Sequence, residues 1–165
     1  MDDARDPRDG TSGRAAEVLG HLYALAAAHI SGDRGAVELI LEDVPVATRE
    51  VMPEAAIAIA YTSVRMFPDH DDPFEDPQVA SLPSWVLEAL VSVLDGNAPD
   101  FIPLHGGDPV EAAIRTVGAF WLWAARGERQ EALRIARHHC AHMALYRDEG
   151  RRRPSDDDSD DEGRN

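Results

Sequence analysis

Apolar residues recur at intervals of three and four along the long uncharged stretches of this 165-residue chain. On a helix of about 3.6 residues per turn, this spacing places the apolar side chains on one face. A β-strand would instead show strict alternation of apolar and polar residues, and no segment shows that alternation convincingly. The periodicity therefore predicts an all-α protein.

Helical segments are separated by glycine, proline and acidic residues. The first is expected over 14–30, before Gly32, and a short second helix is closed by Pro45. The run 54–66 is apolar nearly all round, as in a buried central helix, and Pro53 before it either kinks the third segment or begins a fresh helix. Later helices are expected over 84–95, 109–125 and 128–146. The pattern predicts an irregular bundle of about six helices, with two antiparallel helical hairpins around the buried central helix.

The two ends of the chain differ in composition from its middle. Residues 1–13 are rich in Asp, Arg and Gly, and residues 148–165 combine an arginine triplet with an acidic run. Segments with so little to bury do not offset the entropy cost of ordering, so both are expected to be disordered. Residues 14–147 hold enough apolar side chains for one hydrophobic core. A single α-helical domain is therefore expected over this range.

The formal net charge of −15 at pH 7 restricts the classes of partner. Nucleic acids and anionic membrane surfaces select basic proteins, so neither is expected as a partner. Solubility is the favoured explanation of the charge, with a basic protein partner or mimicry of nucleic acid as alternatives. The absence of a secretory signal, the lack of an apolar run of about 18 residues, and a single cysteine together predict a cytoplasmic protein.

Two of the expected hairpins share a pattern of glycine, aromatic and charged residues. In residues 19–34 and again in 117–129, an apolar residue, a glycine and an aromatic residue are followed by Gly-acid-Arg. This element is similar to part of the tetratricopeptide pattern, which implies stacked helical hairpins. The two glycines are twelve residues apart in the first hairpin and nine in the second, and the middle of the chain holds no third copy. Two ordinary helix pairs with glycine caps are the favoured interpretation.

Histidines cluster near the end of the sixth expected helix. His138 and His142 are four residues apart and share a helix face, a spacing that suits Zn²⁺ or another divalent metal. Glu17 and His21 have the same spacing on the first helix, so these four side chains are the candidate metal site. Cys140 faces nearly the opposite way and is excluded from it. The Glu-x-x-His motif of di-iron bundles is absent, so exposed or interfacial histidines are favoured over a metal site.

Other signatures of chemistry are weak. The acidic residues between 67 and 83 offer hard oxygen ligands for Ca²⁺, but they lack the spacing and the glycine of an EF-hand, so a solvated loop is favoured. Neither a Gly-x-Ser-x-Gly elbow nor a phosphate-binding loop with its lysine is present. Cys140 lies mid-helix, where a cysteine usually behaves as a small hydrophobe. The sequence therefore favours a protein that is not an enzyme and holds no cofactor.

The aromatic residues of the fifth helix suggest a surface for a partner. Trp121 and Trp123 are two residues apart, hence about 200° around the helix, so with Trp121 in the core Trp123 is expected at an exposed rim. Exposed tryptophans often anchor protein interfaces, and a tryptophan covered by a neighbouring loop is the alternative. Trp123, Ile135 and Leu145 form the predicted interface for a protein partner or a second copy of the chain.

Two functions are therefore carried forward from the sequence. The leading hypothesis is a non-enzymatic protein–protein interaction or regulatory protein, with no process indicated. The alternative is a metal-binding helical bundle, or a metal-dependent enzyme, that uses His138 and His142.

Overall fold

The computed structural model describes the backbone of residues 7–99 and 107–152 and the side chains of residues 13–99 and 107–145. The described backbone holds seven α-helices and one 3₁₀ helix and no strand, which confirms the predicted all-α, irregular helical bundle. The α-helices are α1 (Pro7–Ser31), α2 (Arg34–Asp43), α3 (Val46–Met66), α4 (Pro77–Ala80), α5 (Ser84–Leu94), α6 (Pro109–Ala124) and α7 (Arg129–Arg152), and the 3₁₀ helix covers Pro73–Glu75.

The first and last helices extend beyond the bounds expected from composition. α1 begins at Pro7 rather than at Arg14, because proline is readily accommodated in a first helical turn. α7 continues to Arg152, since the arginine and glutamate residues near its end are good helix formers. The rest of the two segments expected to be disordered, residues 1–6 and 153–165, lies outside the described residues.

Pro53 lies inside one continuous helix, α3, and does not separate two helices. A proline in a helix interior removes one backbone hydrogen bond and costs about 3 kcal/mol. Burial on both sides of it offsets this cost, because Met52 is fully buried and the side chains of Ala56 and Ile57 are almost so. Packing of the apolar face therefore outweighs the local preference of the proline.

α6, rather than the apolar run of α3, is the most enclosed helix of the described chain. It packs against α1, α3 and α7, and eleven of its sixteen residues are buried. Trp121 belongs to a hydrophobic cluster shared with α1 and α7. Phe120 and Trp123 belong to a second cluster shared with α3 and α5. Both sides of α6 are therefore core.

Between α3 and α5 runs the acidic loop, residues 67–83, which is shaped by its own carboxylates. The Asp72 carboxylate accepts a hydrogen bond from the Phe74 amide at 3.0 Å and caps the 3₁₀ helix. Asp76 accepts from the amides of Gln78 and Val79 and caps α4. Side-chain oxygens at such positions satisfy amides that have no partner within the helix. The acidic residues therefore give the loop its two short helices.

Two glycines set the geometry around α1. At Gly118, a β-carbon would lie only 3.2 Å from His29 Cδ2, so the absence of a side chain lets α6 approach α1. Gly32 has a φ of +76° and ends α1 in a Schellman motif, in which the Asp33 amide donates to the Ala28 carbonyl and the Gly32 amide to the His29 carbonyl, both at 3.0 Å. The left-handed conformation at Gly32 is strained for any residue with a side chain.

Replacing glycines on either side of this turn should have opposite effects on stability. Gly32→Ala should lower the free energy of unfolding by about 1 kcal/mol, because alanine is disfavoured at positive φ. Gly35→Ala is the matched control: a β-carbon there meets its nearest atom at 3.6 Å, an ordinary contact. This control should raise stability by about 0.4–1 kcal/mol. Urea denaturation of the two variants measures both changes, and equal effects at the two sites would contradict the assigned motif.

Candidate functional site

Trp123 is buried, so its predicted place at an exposed rim is wrong. Its side chain is 5% exposed, and the indole nitrogen donates a hydrogen bond to the Asp71 carbonyl at 3.0 Å. Its ring contacts Phe67, His70 and Phe120 in edge-on arrangements, with centroids 5.2 to 6.5 Å apart. The acidic loop crosses this face of α6 and covers the tryptophan, which is the alternative that the sequence left open.

His70 fastens the acidic loop to the end of α6. Its Nε2 atom is 2.8 Å from the Ala124 carbonyl oxygen, a hydrogen bond between residues 54 positions apart. The imidazole also lies against Phe67, with ring centroids 4.8 Å apart. Together with the Trp123–Asp71 hydrogen bond, this contact holds the loop at two points. These two hydrogen bonds, His70–Ala124 and Trp123–Asp71, are here called the latch. Trp123 is not exposed, so it does not fit the predicted role of an interface anchor.

An open cavity of about 390 Å³ lies beside this latch. Its lining consists of Asp69, His70, Asp71, Asp72, Glu75, Asp76, Trp123 and Arg126. Two of these carboxylates already act as helix caps, and the Arg126 guanidinium supplies a positive charge to the same lining. Within the described side chains, no three His, Cys, Asp or Glu groups are arranged to hold a metal ion. In the described structure, two carboxylates of the acidic loop therefore serve as helix caps, and the others line the cavity.

The four side chains predicted as a metal site are not brought together. His138 and His142 are exposed on α7, with their rings stacked at 6.4 Å between centroids. On α1, Glu17 Oε1 and His21 Nε2 are 4.0 Å apart and form a pair of their own. The opposite face of α7 is the one that packs against α1, through contacts such as that of His139 with Tyr23. No group of three such ligands forms in the described part of the chain, so the structure does not assemble the four predicted ligands into one site.

Sequence reasoning missed His139, which lies on the packed side of α7. Its ring stacks on Trp121 at 5.6 Å with an interplanar angle of 6°, and it contacts Tyr23 at 5.1 Å. Burial lowers the pKa of His139, and the neighbouring His138 and His142 lower it further. A helical-wheel projection of the sequence could have identified this position. On it, His139 lies about 100° from His138, on the side of the buried Ala136. His139 is thus a half-buried ring packed between Tyr23 and Trp121, and burial favours its neutral form.

The thiol of Cys140 is free and half-buried on the same side of α7. Burial raises the pKa of this thiol above its usual range. The thiolate is the nucleophilic form, so a raised pKa disfavours reactivity at neutral pH. Burial is also the main cause of the raised pKa of the nearby Tyr23 phenol, with the charge of Cys140 as a second cause.

The remaining two interface candidates lie in different surroundings. Ile135 is partly buried and packs against both hydrophobic clusters, so it contributes mainly to the core. Leu145 is 64% exposed, and it is one of six large hydrophobic side chains exposed in the described chain. Leu145 alone of the three predicted interface residues therefore presents a largely exposed apolar side chain.

Leu145 belongs to a distinct exposed surface, here called the α7 outer face. At helical spacing, Arg134, His138, Ala141 and Leu145 follow one another along it, and Arg137 and His142 flank this row; all six residues are exposed. The Arg134 guanidinium lies 3.0 Å from the Glu131 carboxylate, a surface pair that contributes little to stability. The face is thus basic, with one large apolar side chain at its end.

Charge is strongly segregated between this region and the rest of the molecule. Residues 126–145 contain four arginines, three histidines and two acidic residues. The other residues with described side chains, 13–99 and 107–125, contain five arginines, three histidines and sixteen acidic residues. The basic character of the α7 outer face is therefore local, within a molecule that is otherwise acidic.

A second cleft, of about 330 Å³, lies where α1, α2 and α6 meet. Apolar side chains line it together with both basic and acidic groups: His29, Arg34, Val37, Glu38, Leu41, Asp108, Glu111, Ile114 and Arg115. Asp108 has an explained role there, because its carboxylate caps α6 by accepting from the Val110 amide at 2.9 Å. Burial and the Arg115 charge lower the pKa of His29. The mixed charges of this lining do not favour one class of ligand.

Comparisons with known proteins add no identification. No protein-family model, curated protein or solved structure matches the chain. None of the helices in the described residues is sufficiently long and apolar to cross a membrane. The function is therefore inferred from the chemistry of the surfaces described above.

Replacement of Trp123 measures the strength of the latch. Trp123→Ala should lower the free energy of unfolding by about 3–5 kcal/mol, the usual cost of deleting a core aromatic side chain. Trp123→Phe, which keeps most of the apolar contact but loses the hydrogen bond to Asp71, should cost about 1–3 kcal/mol. Trp85→Phe on α5 is the control, because Trp85 is only partly buried. Denaturant titration gives these values, and a stable Trp123→Ala variant would contradict burial in the core.

The lowered pKa of His139 predicts a pH dependence of stability. As the pH falls, the unfolded chain takes up a proton on this histidine at about pH 6.5, whereas the folded protein takes it up only at a lower pH. The free energy of unfolding should therefore decrease as the pH drops below about 6.5, until the pKa of the folded state is passed. His139→Phe keeps an aromatic ring between Tyr23 and Trp121 and removes this titration. The variant should lose less stability than the native protein between pH 7 and pH 5, which denaturation at each pH tests. Identical slopes would contradict a neutral, packed His139.

Proposed function

We propose that the protein is a non-enzymatic interaction protein, and that it binds an acidic segment of a partner protein along the α7 outer face. The observation that carries this proposal is the charge segregation. A chain of net charge −15 keeps two arginines and two histidines exposed on one helix face, with an exposed leucine at its end.

The chemistry of the row suits carboxylates. The Arg137 guanidinium is a forked donor that matches a carboxylate in a bidentate geometry. The Arg134 guanidinium can exchange its exposed surface pair with Glu131 for the same kind of contact. His138 and His142 add ring nitrogens on the same side of the helix. From Arg134 to Leu145 the row spans about 17 Å at a rise of 1.5 Å per residue, which accommodates five or so residues of an extended segment.

The fold itself does not need this surface. α7 is held by its opposite side, where Ala132 and Ala136 are fully buried and His139 stacks on Trp121. In contrast, several acidic side chains elsewhere serve local structure, because Asp33, Asp72, Asp76 and Asp108 each cap a helix. This contrast favours an acidic partner on the basic face over a basic partner on the acidic surface.

Two features support a non-enzymatic role. The thiol of Cys140, the single cysteine, is disfavoured as a nucleophile because burial raises its pKa. Some of the polar groups at the two clefts serve the fold, because Asp76 and Asp108 cap helices and His70 is hydrogen-bonded to the Ala124 carbonyl. The proposal therefore follows the leading hypothesis from the sequence, with the α7 outer face in place of Trp123.

Site-specific photo-crosslinking tests the proposal. A photo-crosslinking amino acid at Ala141, in the middle of the row, should give adducts with acidic segments of a partner in lysate of the cells that express the protein. The same amino acid at Ala58, an exposed alanine of α3, is the control. Mass spectrometry of the adducts identifies the bound segments and their charge.

Charge reversal makes the test specific. Arg134→Glu with Arg137→Glu should reduce the yield of adducts from Ala141 by about tenfold, which corresponds to about 1.4 kcal/mol. Arg34→Glu with Arg65→Glu changes the net charge equally at exposed arginines of α2 and α3, and it should leave the yield unchanged. Equal adducts from Ala141 and Ala58, or bound segments without acidic residues, would refute the proposed function.

A further inference from the structure

The residues that follow α7 supply an acidic segment within the chain itself. Six of the eight residues in 155–162 are aspartate or glutamate, and none is basic. This stretch, here called the acidic segment, is connected to the last residue of α7, Arg152, by Arg153 and Pro154. The α7 outer face and a segment of complementary charge are therefore neighbours in sequence.

We infer that the acidic segment of the same chain binds the α7 outer face and competes with the acidic partner for it. This inference rests on the proposed function, because it assigns a regulator to the same face. The segment would act as an internal ligand that sets how much of the face is free.

Chain length permits this arrangement. The acidic side chains begin four residues and end ten residues after Arg152, so an extended chain carries them about 13–33 Å from the end of α7 at 3.3 Å per residue. Measured back along the helix at 1.5 Å per residue, Leu145 lies about 10 Å and Arg134 about 27 Å from Arg152. The reach of the acidic segment thus matches the position and extent of the row.

Proline also favours an end of the helix at the start of the connection. The residue before a proline is disfavoured in helical conformation, and Arg153 precedes Pro154, which agrees with the end of α7 at Arg152. A ligand tethered by so short a connection has an effective concentration of about 1 mM, which favours an intramolecular contact over a weak external one. The same-chain segment is therefore the occupant that these observations favour.

Paramagnetic relaxation enhancement places the segment directly. The full chain is labelled with a nitroxide at Ser159→Cys in a Cys140→Ala background, and signal loss is measured at backbone amides. The amides of Arg134, His138 and Ala141 should be attenuated, independently of protein concentration. The attenuation should disappear with Arg134→Glu and Arg137→Glu, and at about 1 M salt, where the Debye length is about 3 Å. A label at Thr62→Cys on α3 is the control.

A label-free comparison guards against effects of these substitutions on folding. The full chain with Asp157, Asp158, Asp160 and Asp161 changed to Asn should show amide shift changes along the α7 outer face. The matched control removes the same number of charges from exposed residues of α2 and α3, by Glu42→Gln, Asp43→Asn, Glu50→Gln and Glu54→Gln. This control should leave the α7 amides unchanged.

The same pair of variants tests competition. Neutralising the acidic segment should raise the yield of partner adducts from Ala141 at least about threefold, because apparent affinity scales with the fraction of the site that is free. Attenuation that is absent, confined to residues 147–152, or dependent on concentration would overturn the inference. If partner adducts form but attenuation is absent, the internal ligand is refuted and the proposed function stands. If attenuation is present but no partner adducts form, even after the acidic segment is neutralised, the proposed function is refuted and binding of the acidic segment to the face stands.

Discussion

Burial of α6 on both sides is the constraint on which the other elements depend. Trp121 and Trp123 project from nearly opposite sides of this helix, and each is at most 5% exposed. A helix that is apolar all round must be enclosed, because either side left in water would forfeit the free energy of burial. α1 and α7 cover the Trp121 side and α5 and the acidic loop cover the other, whereas α3 contributes residues to both. The position of each of these elements follows from the side of α6 that it covers.

The helical class and the local signals were predictable from the sequence, because they depend on neighbouring residues. Asp108 caps α6 and Gly32 ends α1, as expected from the chemistry of aspartate and glycine at helix ends. The burial of Trp123 was not predictable in this way. The argument from helical spacing assumed that α6 has one buried side. The other side is buried by the acidic loop, which is held by the His70–Ala124 hydrogen bond between residues 54 positions apart. Long-range contacts of this kind leave no periodic signal.

The histidines of α7 show the same division between local and long-range information. Their spacing correctly places His138 and His142 on one face of a helix, where the structure finds their rings stacked. A metal site also needs further ligands, whose positions depend on how α1 packs against α7. The packing brings His139 and Tyr23 together and leaves His138 and His142 outward, so the ring nearest the core has a lowered pKa and the outer rings join the basic face.

The net charge of the protein and the local charge of α7 act over different distances. At physiological ionic strength the Debye length is about 8 Å, so the net charge of −15 is largely screened before a partner reaches the surface. The row on α7 spans about 17 Å, and its own charges dominate the potential once an acidic chain lies against it. Under the proposed function, the net charge disfavours approach of an acidic partner at low salt, whereas the local face selects the acidic segment at contact. In the arrangement inferred above, the acidic segment avoids the barrier to approach that exists at low salt, because its connection to α7 keeps it near the face.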